Sequence, residues 1–269
     1  MIRLVAFDLD GTLMGDAREI HPRVQAAIAK AQAQGVTVTL ATGRMFSALL
    51  PFVRQLGITA PTLAYQGGWI QQPDAETPLY HIHLPRQPAE TTLALAQAHD
   101  WHTVLYADGR IYLQERRESP EFYHDLLGSN VRRVDSWGAV LNHHQIDKVL
   151  FVADPAEIPA MGTRLRARLA GQARVFRSHA RFIEVVPPDV DKGRGLAWLA
   201  HHLDVEQAET MAVGDQENDA PMVAWAGVGV AMGNAVPAVQ DVADWIAPPL
   251  SEHGAAVALE RFVLGKAQR

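Results

Sequence analysis

The 269-residue chain is 48% hydrophobic and sets 24 lysines and arginines against 30 acidic residues, for a net charge of −6. It therefore has the apolar content for one large domain or two ordinary ones. No basic run is long enough to track a nucleic-acid backbone, no apolar run is long enough to span a bilayer, and the lack of cysteine excludes thiol chemistry, disulfides and thiolate metal sites. No signal-peptide pattern precedes the first apolar run, so the expectation is a cytoplasmic protein with no nucleic-acid, membrane or evident protein partner.

Through the first third, short apolar runs alternate with an amphipathic stretch. Ile2 to Phe7 reads as a strand, Pro22 to Gln34 as a helix closed by Gly35, and "VTVTLA" from Val36 as a second strand. The last third repeats this pattern, with "LAWLAHHL" as a helix, "TMAVG" as a strand, a helix from Asn218, "GVGVAM" as a strand and a closing helix from Glu252 to Leu264. These two thirds predict an α/β fold, a doubly wound Rossmann-like parallel sheet. Between them, from Leu84 to Glu184, strand-like and helix-like pieces mix, with a hairpin signal in "ADGRIYL". The expected organisation is a catalytic core of residues 1–83 and 187–269 and an inserted α+β cap of residues 84–186, with "HLPRQP" and "VVPPDV" as the crossings.

The chemistry-bearing residues sit where apolar runs end: Asp8 and Asp10 in "LVAFDLD", Thr42 and Arg44 in "VTLATGR", and Asp215, Asn218 and Asp219 in "TMAVGDQEND". Ligands of open α/β sheets bind beyond the carboxyl ends of the strands, so these groups should converge, and Lys192 of "DKGRGL" can reach the same cleft. If Asp8, Asp10 and Asp215 meet, each pair about 4 Å apart repels by roughly 4 kcal/mol at an effective dielectric near 20. A cation must then be present. All-oxygen ligation points to Mg²⁺, and a lysine and a threonine hydroxyl beside it suit a phosphoryl group. Asp8 is the candidate nucleophile. Asp10, two residues on along an extended segment, is the candidate acid and base, and Gly11 permits the turn between.

"DLDGTL", "ATGR", "DKGRGL" and "GDQEND", in this order, resemble the motifs of the haloacid dehalogenase superfamily of phosphatases. "AMGNAVPAV" and "SEHGAAVALERFV" resemble its Cof-type branch (subfamily IIB), which carries a large α/β cap between the second and third motifs. The resemblance implies a Mg²⁺-dependent phosphatase acting through an aspartyl phosphate on small phosphorylated metabolites, either sugar phosphates or phosphorylated cofactors, with the cap closing over the substrate. It implies Asp8 as nucleophile and metal ligand, Asp10 as acid/base and backbone-carbonyl ligand, and Asp215 as the remaining carboxylate ligand. It further implies Thr42 and Lys192 on the phosphoryl group, Asn218 on the phosphate or substrate side and Asp219 behind them, while Gly43 and Arg44 of "ATGR" are candidate phosphate or substrate contacts beside Thr42. Gln66 and Gln216 stand where the family commonly has asparagine, and no role is carried onto Gln66.

Other readings are weaker. Arg44 can hold phosphate or pair with a surface acid. "GVGVAMG" has its third glycine one position late for a dinucleotide fingerprint. His81, His83 and the doublets His143-His144 and His201-His202 read as solvated histidines, because no complete ligand set surrounds them in the sequence. Tyr106, Arg116, Tyr123 and His124 are unranked cap contacts. A phosphomutase or phosphotransferase would use the same intermediate, and a phosphometabolite sensor would need neither a nucleophile nor an adjacent acid.

Overall fold

The computed structural model describes residues 1–15, 19–127 and 131–265, the side chains of 124–127 excepted. The chain divides into two units, Met1–Tyr80 with Asp191–Arg269, and His81–Val190.

The first unit opens on β1 (Leu4–Phe7), α1 (Pro22–Ala33), β2 (Thr37–Leu40), α2 (Phe46–Gln55), β3 (Thr62–Ala64) and β4 (Trp69–Gln71). Its opening strand is buried at every residue, as a strand covered on both faces of a parallel sheet must be. The first helix buries Val24, Ala27, Ile28 and Ala31, one stripe at helical spacing. Pro22 stands in its first turn, where no partner for an N–H is missed.

The second unit contains β5 (Tyr80–His81, whose first residue belongs to the first unit), α3 (Arg86–Ala98), β6 (His102–Ala107), β7 (Arg110–Leu113), α4 (Pro120–Leu127), β8 (Val131–Arg133), α5 (Trp137–Leu141), β9 (Ile146–Val152), α6 (Ile158–Leu169), β10 (Arg174–His179) and β11 (Phe182–Val186). The six-stranded sheet has the order β10-β11-β9-β6-β7-β8 and is antiparallel except at β7-β8. Val149, Phe151, Leu105 and Val185 share a core with Leu93 and Leu165 of the helices. Alternation puts Lys148 on the opposite face. There it pairs at 2.7 Å with Glu184, both buried, beneath the Tyr106 ring. The "HLPRQP" stretch differs from a simple crossing, because Pro85 caps α3 and the helix begins at Arg86. Tyr123 donates to or accepts from His102 at 2.9 Å, and Arg116 lies over the Tyr123 ring. The His124 side chain lies outside the described residues.

The chain then completes the first unit with α7 (Lys192–His202), β12 (Thr210–Gly214), α8 (Ala220–Trp225), β13 (Val228–Ala231), α9 (Pro237–Gln240), β14 (Trp245–Ile246) and α10 (Gly254–Phe262). The parallel sheet runs β14-β13-β12-β1-β2, with β3 bridging beyond β2. Strand order therefore reverses at β1, which pairs with β2 on one side and β12 on the other. That is the switch point at which such sheets hold ligands. The fold is the doubly wound core with an inserted α+β unit that the sequence predicts.

Two glycines set how close α7 comes to the turn after β3. A Cβ on Gly195 would lie 2.8 Å from the Gly67 Cα, and one on Gly67, whose φ is +88°, would lie 2.7 Å from the Asp191 carbonyl oxygen. Gly195→Ala is therefore expected to cost about 1–3 kcal/mol by overpacking. A thermal melt reads this at roughly 2–4 °C per kcal/mol. Gly138→Ala in α5, where the nearest atom to the new methyl is 3.9 Å away, should leave the melt unchanged or slightly higher.

Candidate active site

The strand ends deliver the polar residues. Asp8 follows β1, Thr42 follows β2 by two residues, Asp215 follows β12, and Asn218 and Asp219 lie in the 3₁₀ turn Glu217–Asp219. Lys192 is the first residue of α7, behind the capping Asp191, whose carboxylate accepts the Arg194 N–H at 2.7 Å.

Lys192 ties the cluster together. Its Nζ donates to Asp8 Oδ1 and to Asp219 Oδ1, each at 2.5 Å, with the lysine side chain wholly buried. Asp219 uses its other oxygen to accept the N–H groups of Asp215 and Gln216, both at 2.9 Å. Asp215 accepts from Thr12 Oγ1 at 2.9 Å and from Gln216 Nε2 at 2.8 Å. Gly11 has φ +90°, and a Cβ there would fall 2.3 Å from Asp215 Oδ2, so both the turn and the carboxylate's approach require glycine.

The expected trio of Asp8, Asp10 and Asp215 carboxylates is corrected at one member. The trio whose carboxylate oxygens come within 4.8 Å of one another is Asp8, Asp215 and Asp219. The strand β1 ends at Phe7, and Asp10 forms an isolated bridge with Met14. The Asp10 side chain is 51% exposed and is clasped by Arg44, Nε to Oδ2 at 2.7 Å and Nη2 to Oδ1 at 2.6 Å. The buried Thr42 hydroxyl accepts the Arg44 N–H at 3.2 Å, and Gly43 lies between them in the same turn.

Sequence reasoning missed the supports. Gln66, buried with φ +62°, accepts the Asn218 amide N–H at 2.9 Å. The Asn234 side chain donates to the Gly11 carbonyl at 2.9 Å. Thr12 stood inside the "DGTL" motif, and only that adjacency could have marked it.

With one ammonium among three buried carboxylates, negative charge is in excess. Burial, followed by the neighbouring Asp219 charge, raises Asp8 well above the ordinary carboxylate range, and Lys192 only partly offsets this. The same causes lift Asp215 to about 6 against the hydrogen bonds from Gln216 and Thr12. Burial lowers Lys192, but Asp219 and Asp8 outweigh it and hold the ammonium above its ordinary value. The donor set suits a cation bound through oxygen.

The family model for haloacid dehalogenase-like hydrolases matches residues 5–259. The chain is 29% identical over 273 residues to YxeH of Bacillus subtilis, covering 99% of this chain and 100% of that protein. It is 31% identical over 237 residues to the HMP-PP phosphatase of Cronobacter sakazakii, covering 88% and 86%. The crystal structure of a haloacid dehalogenase-like hydrolase from Bacteroides thetaiotaomicron superposes with a TM-score of 0.84 at 29% identity, over 97% of this chain and 99% of that one.

Removing Asp219 would leave Lys192 paired only with Asp8. It would also take the acceptor from the Asp215 and Gln216 N–H groups, so Asp219→Ala is expected to lower the unfolding free energy by about 1–3 kcal/mol, measured by urea denaturation, whereas Asp10→Ala at its exposed pair should cost no more than about 1 kcal/mol.

Proposed function

The chain belongs to the haloacid dehalogenase-like hydrolases, and from that premise we propose that it is a phosphatase of their Cof-type branch that hydrolyses small phosphorylated metabolites with Asp8 as nucleophile. The observation that carries this reading is Asp8 itself, a buried carboxylate at the switch point of the sheet, oriented through one oxygen by Lys192. Its other oxygen is the attacking atom. Attack forms the phosphorus–Oδ bond of an aspartyl phosphate as the ester bond breaks, and Asp10 gives a proton to the leaving alkoxide. Water then attacks the same phosphorus, Asp10 takes its proton, and the phosphorus–Oδ bond breaks to release phosphate and restore Asp8.

Arg44 donates two hydrogen bonds to the Asp10 side chain, so the acid role requires Asp10 to leave Arg44 as substrate enters. Arg44 is then released toward the phosphoryl oxygens, alongside Thr42, Gly43 and Lys192. Asn218, whose amide donates to Gln66, would contact the substrate. Asp8, Asp215 and the Asp10 backbone carbonyl would hold Mg²⁺, with Asp219 fixing the Asp215 loop from behind. When bound, the ion offsets the excess negative charge and polarises the phosphoryl group.

Sugar phosphates and phosphorylated cofactors form the substrate class, and the name of the Cronobacter relative adds HMP-PP to the panel to be assayed. Phosphate release from that panel with Mg²⁺ should fall by at least about 10³-fold in kcat for Asp8→Asn. Survival of turnover in that variant would remove Asp8 as nucleophile, and recovery of an isomerised sugar phosphate in place of free phosphate would make the enzyme a mutase.

Metal binding should also show in the pH dependence. Asp215 has its folded pKa raised from 3.8 to about 6, so its contribution to stability is complete below the unfolded value and is lost as pH rises through about 6. A cation needs the ionised carboxylates, so it opposes that loss. Mg²⁺ is expected to raise Tm more at about pH 7.5 than at about pH 5, read by differential scanning fluorimetry.

A further inference from the structure

One more group of described residues gathers metal-binding atoms, and it lies wholly in the inserted unit: His81, His83 and Asp147. The sequence expectation of solvated histidines is corrected for the first two. They stand two residues apart where β5 runs out, so their rings leave the backbone on one side, and the ring centroids lie 3.8 Å apart. The next residue, Leu84, donates its N–H to the Ile146 carbonyl at 2.6 Å, which lays this stretch beside β9.

The third member comes from a β-bulge. Tyr106 of β6 pairs with Lys148 and Ala107 pairs with Ile146, which leaves Asp147 as the extra residue on β9. Bulges re-aim side chains in this way. The Asp147 carboxylate is 3% exposed, and its Oδ2 accepts the Gly109 N–H at 3.0 Å. That bond leaves Oδ1 facing both rings, 2.8 Å from His81 Nε2 and 3.4 Å from His83 Nδ1. His83 Nδ1 is buried and makes no hydrogen bond among the described residues. A buried polar atom left in this state costs about 1–3 kcal/mol, and a metal ion would satisfy it.

We propose that His81 Nε2, His83 Nδ1 and Asp147 Oδ1 form a binding site for a divalent transition-metal ion, Zn²⁺ foremost. Two imidazoles and one carboxylate suit zinc and its neighbours rather than Mg²⁺, which prefers oxygen alone. Ligands about 2.0 Å from a tetrahedral ion stand about 3.3 Å from one another. The distances of 2.8 and 3.4 Å around Oδ1 bracket that separation. The Gly109 N–H fixes the carboxylate as outer partners of metal ligands do, and the half-buried histidine edge leaves a fourth position to water. The ion would fasten the stretch after β5 to the bulge of β9.

The test uses the untagged full-length protein, stripped with a chelator, dialysed, and titrated calorimetrically with Zn²⁺ in excess Mg²⁺, which competes for the carboxylate cluster of the first unit. One Zn²⁺ per chain is expected, with affinity reduced by roughly a hundredfold or more in His83→Ala and unchanged in His201→Ala, at an exposed position of α7. Co²⁺ should give a visible absorption band in the wild type that His83→Ala lacks. Circular dichroism confirms that the variant is folded, and Asp147→Asn, which keeps the shape of the side chain, should lose the band as well. Equal Zn²⁺ affinity in wild type and folded His83→Ala, or no uptake by the wild type, would overturn the proposal. Neither result depends on phosphatase turnover.

Discussion

The Lys192 ammonium, buried between Asp8 and Asp219, is the contact on which the rest of the site depends. A wholly buried cation needs opposite charge at hydrogen-bond distance, and here the two carboxylates come from different strand ends. Lys192 thereby fixes the end of β1 relative to the end of β12. The local sequence is built to bring it there. Asp191 caps the helix, so α7 starts at Lys192 itself. Gly193 and Gly195 let the helix start press against neighbouring backbone, since a Cβ on Gly193 would lie 2.5 Å from the Pro221 carbonyl oxygen. "DKGRG" is thus a packing solution as much as a motif.

Asp219 then extends the same constraint. One carboxylate oxygen holds the lysine and the other holds two backbone N–H groups of the loop that presents Asp215. Asp215 is held at both oxygens in turn, by Thr12 from the first loop and by Gln216 from its own. Two strand-end loops and the start of α7 are therefore coupled through a few polar contacts. A charge cluster of this kind is a poor way to stabilise a fold, because apolar residues of similar volume do so at least as well. Its value lies in holding charge in fixed positions where new charge must be received.

Much of this was legible in the sequence for one reason: buried parallel strands are continuous apolar runs, so a polar residue at the end of one is conspicuous. Asp8, Thr42 and Asp215 stand out in that way, and the burial of every residue from Leu4 to Phe7 is the physical basis. The position of the Asp10 side chain was not legible. It depends on the turn closed by Gly11 and on Arg44, 34 residues away. The helix read from Asn218 proved to be a 3₁₀ turn followed by α8 from Ala220, because Asp219 bends back to cap the Asp215 loop. Gln66 was unreadable for a similar reason. Its left-handed backbone and its bond to Asn218 arise from chain segments 152 residues apart.

The histidines show the same limit from the other side. Spacing placed His81 and His83 on one face, but nothing near them in sequence supplied a third ligand. Asp147 lies 66 residues from His81 and faces it through a bulge that leaves no sequence signature. In a regular antiparallel ladder, Asp147 would take its place in the pairing between Ile146 and Lys148, with no extra residue to turn aside. The insertion of one residue in register frees its carboxylate, and the Gly109 N–H then fixes which oxygen faces the rings. Long-range register, which a single sequence does not encode locally, decides whether two histidines are ordinary polar residues or two thirds of a ligand set.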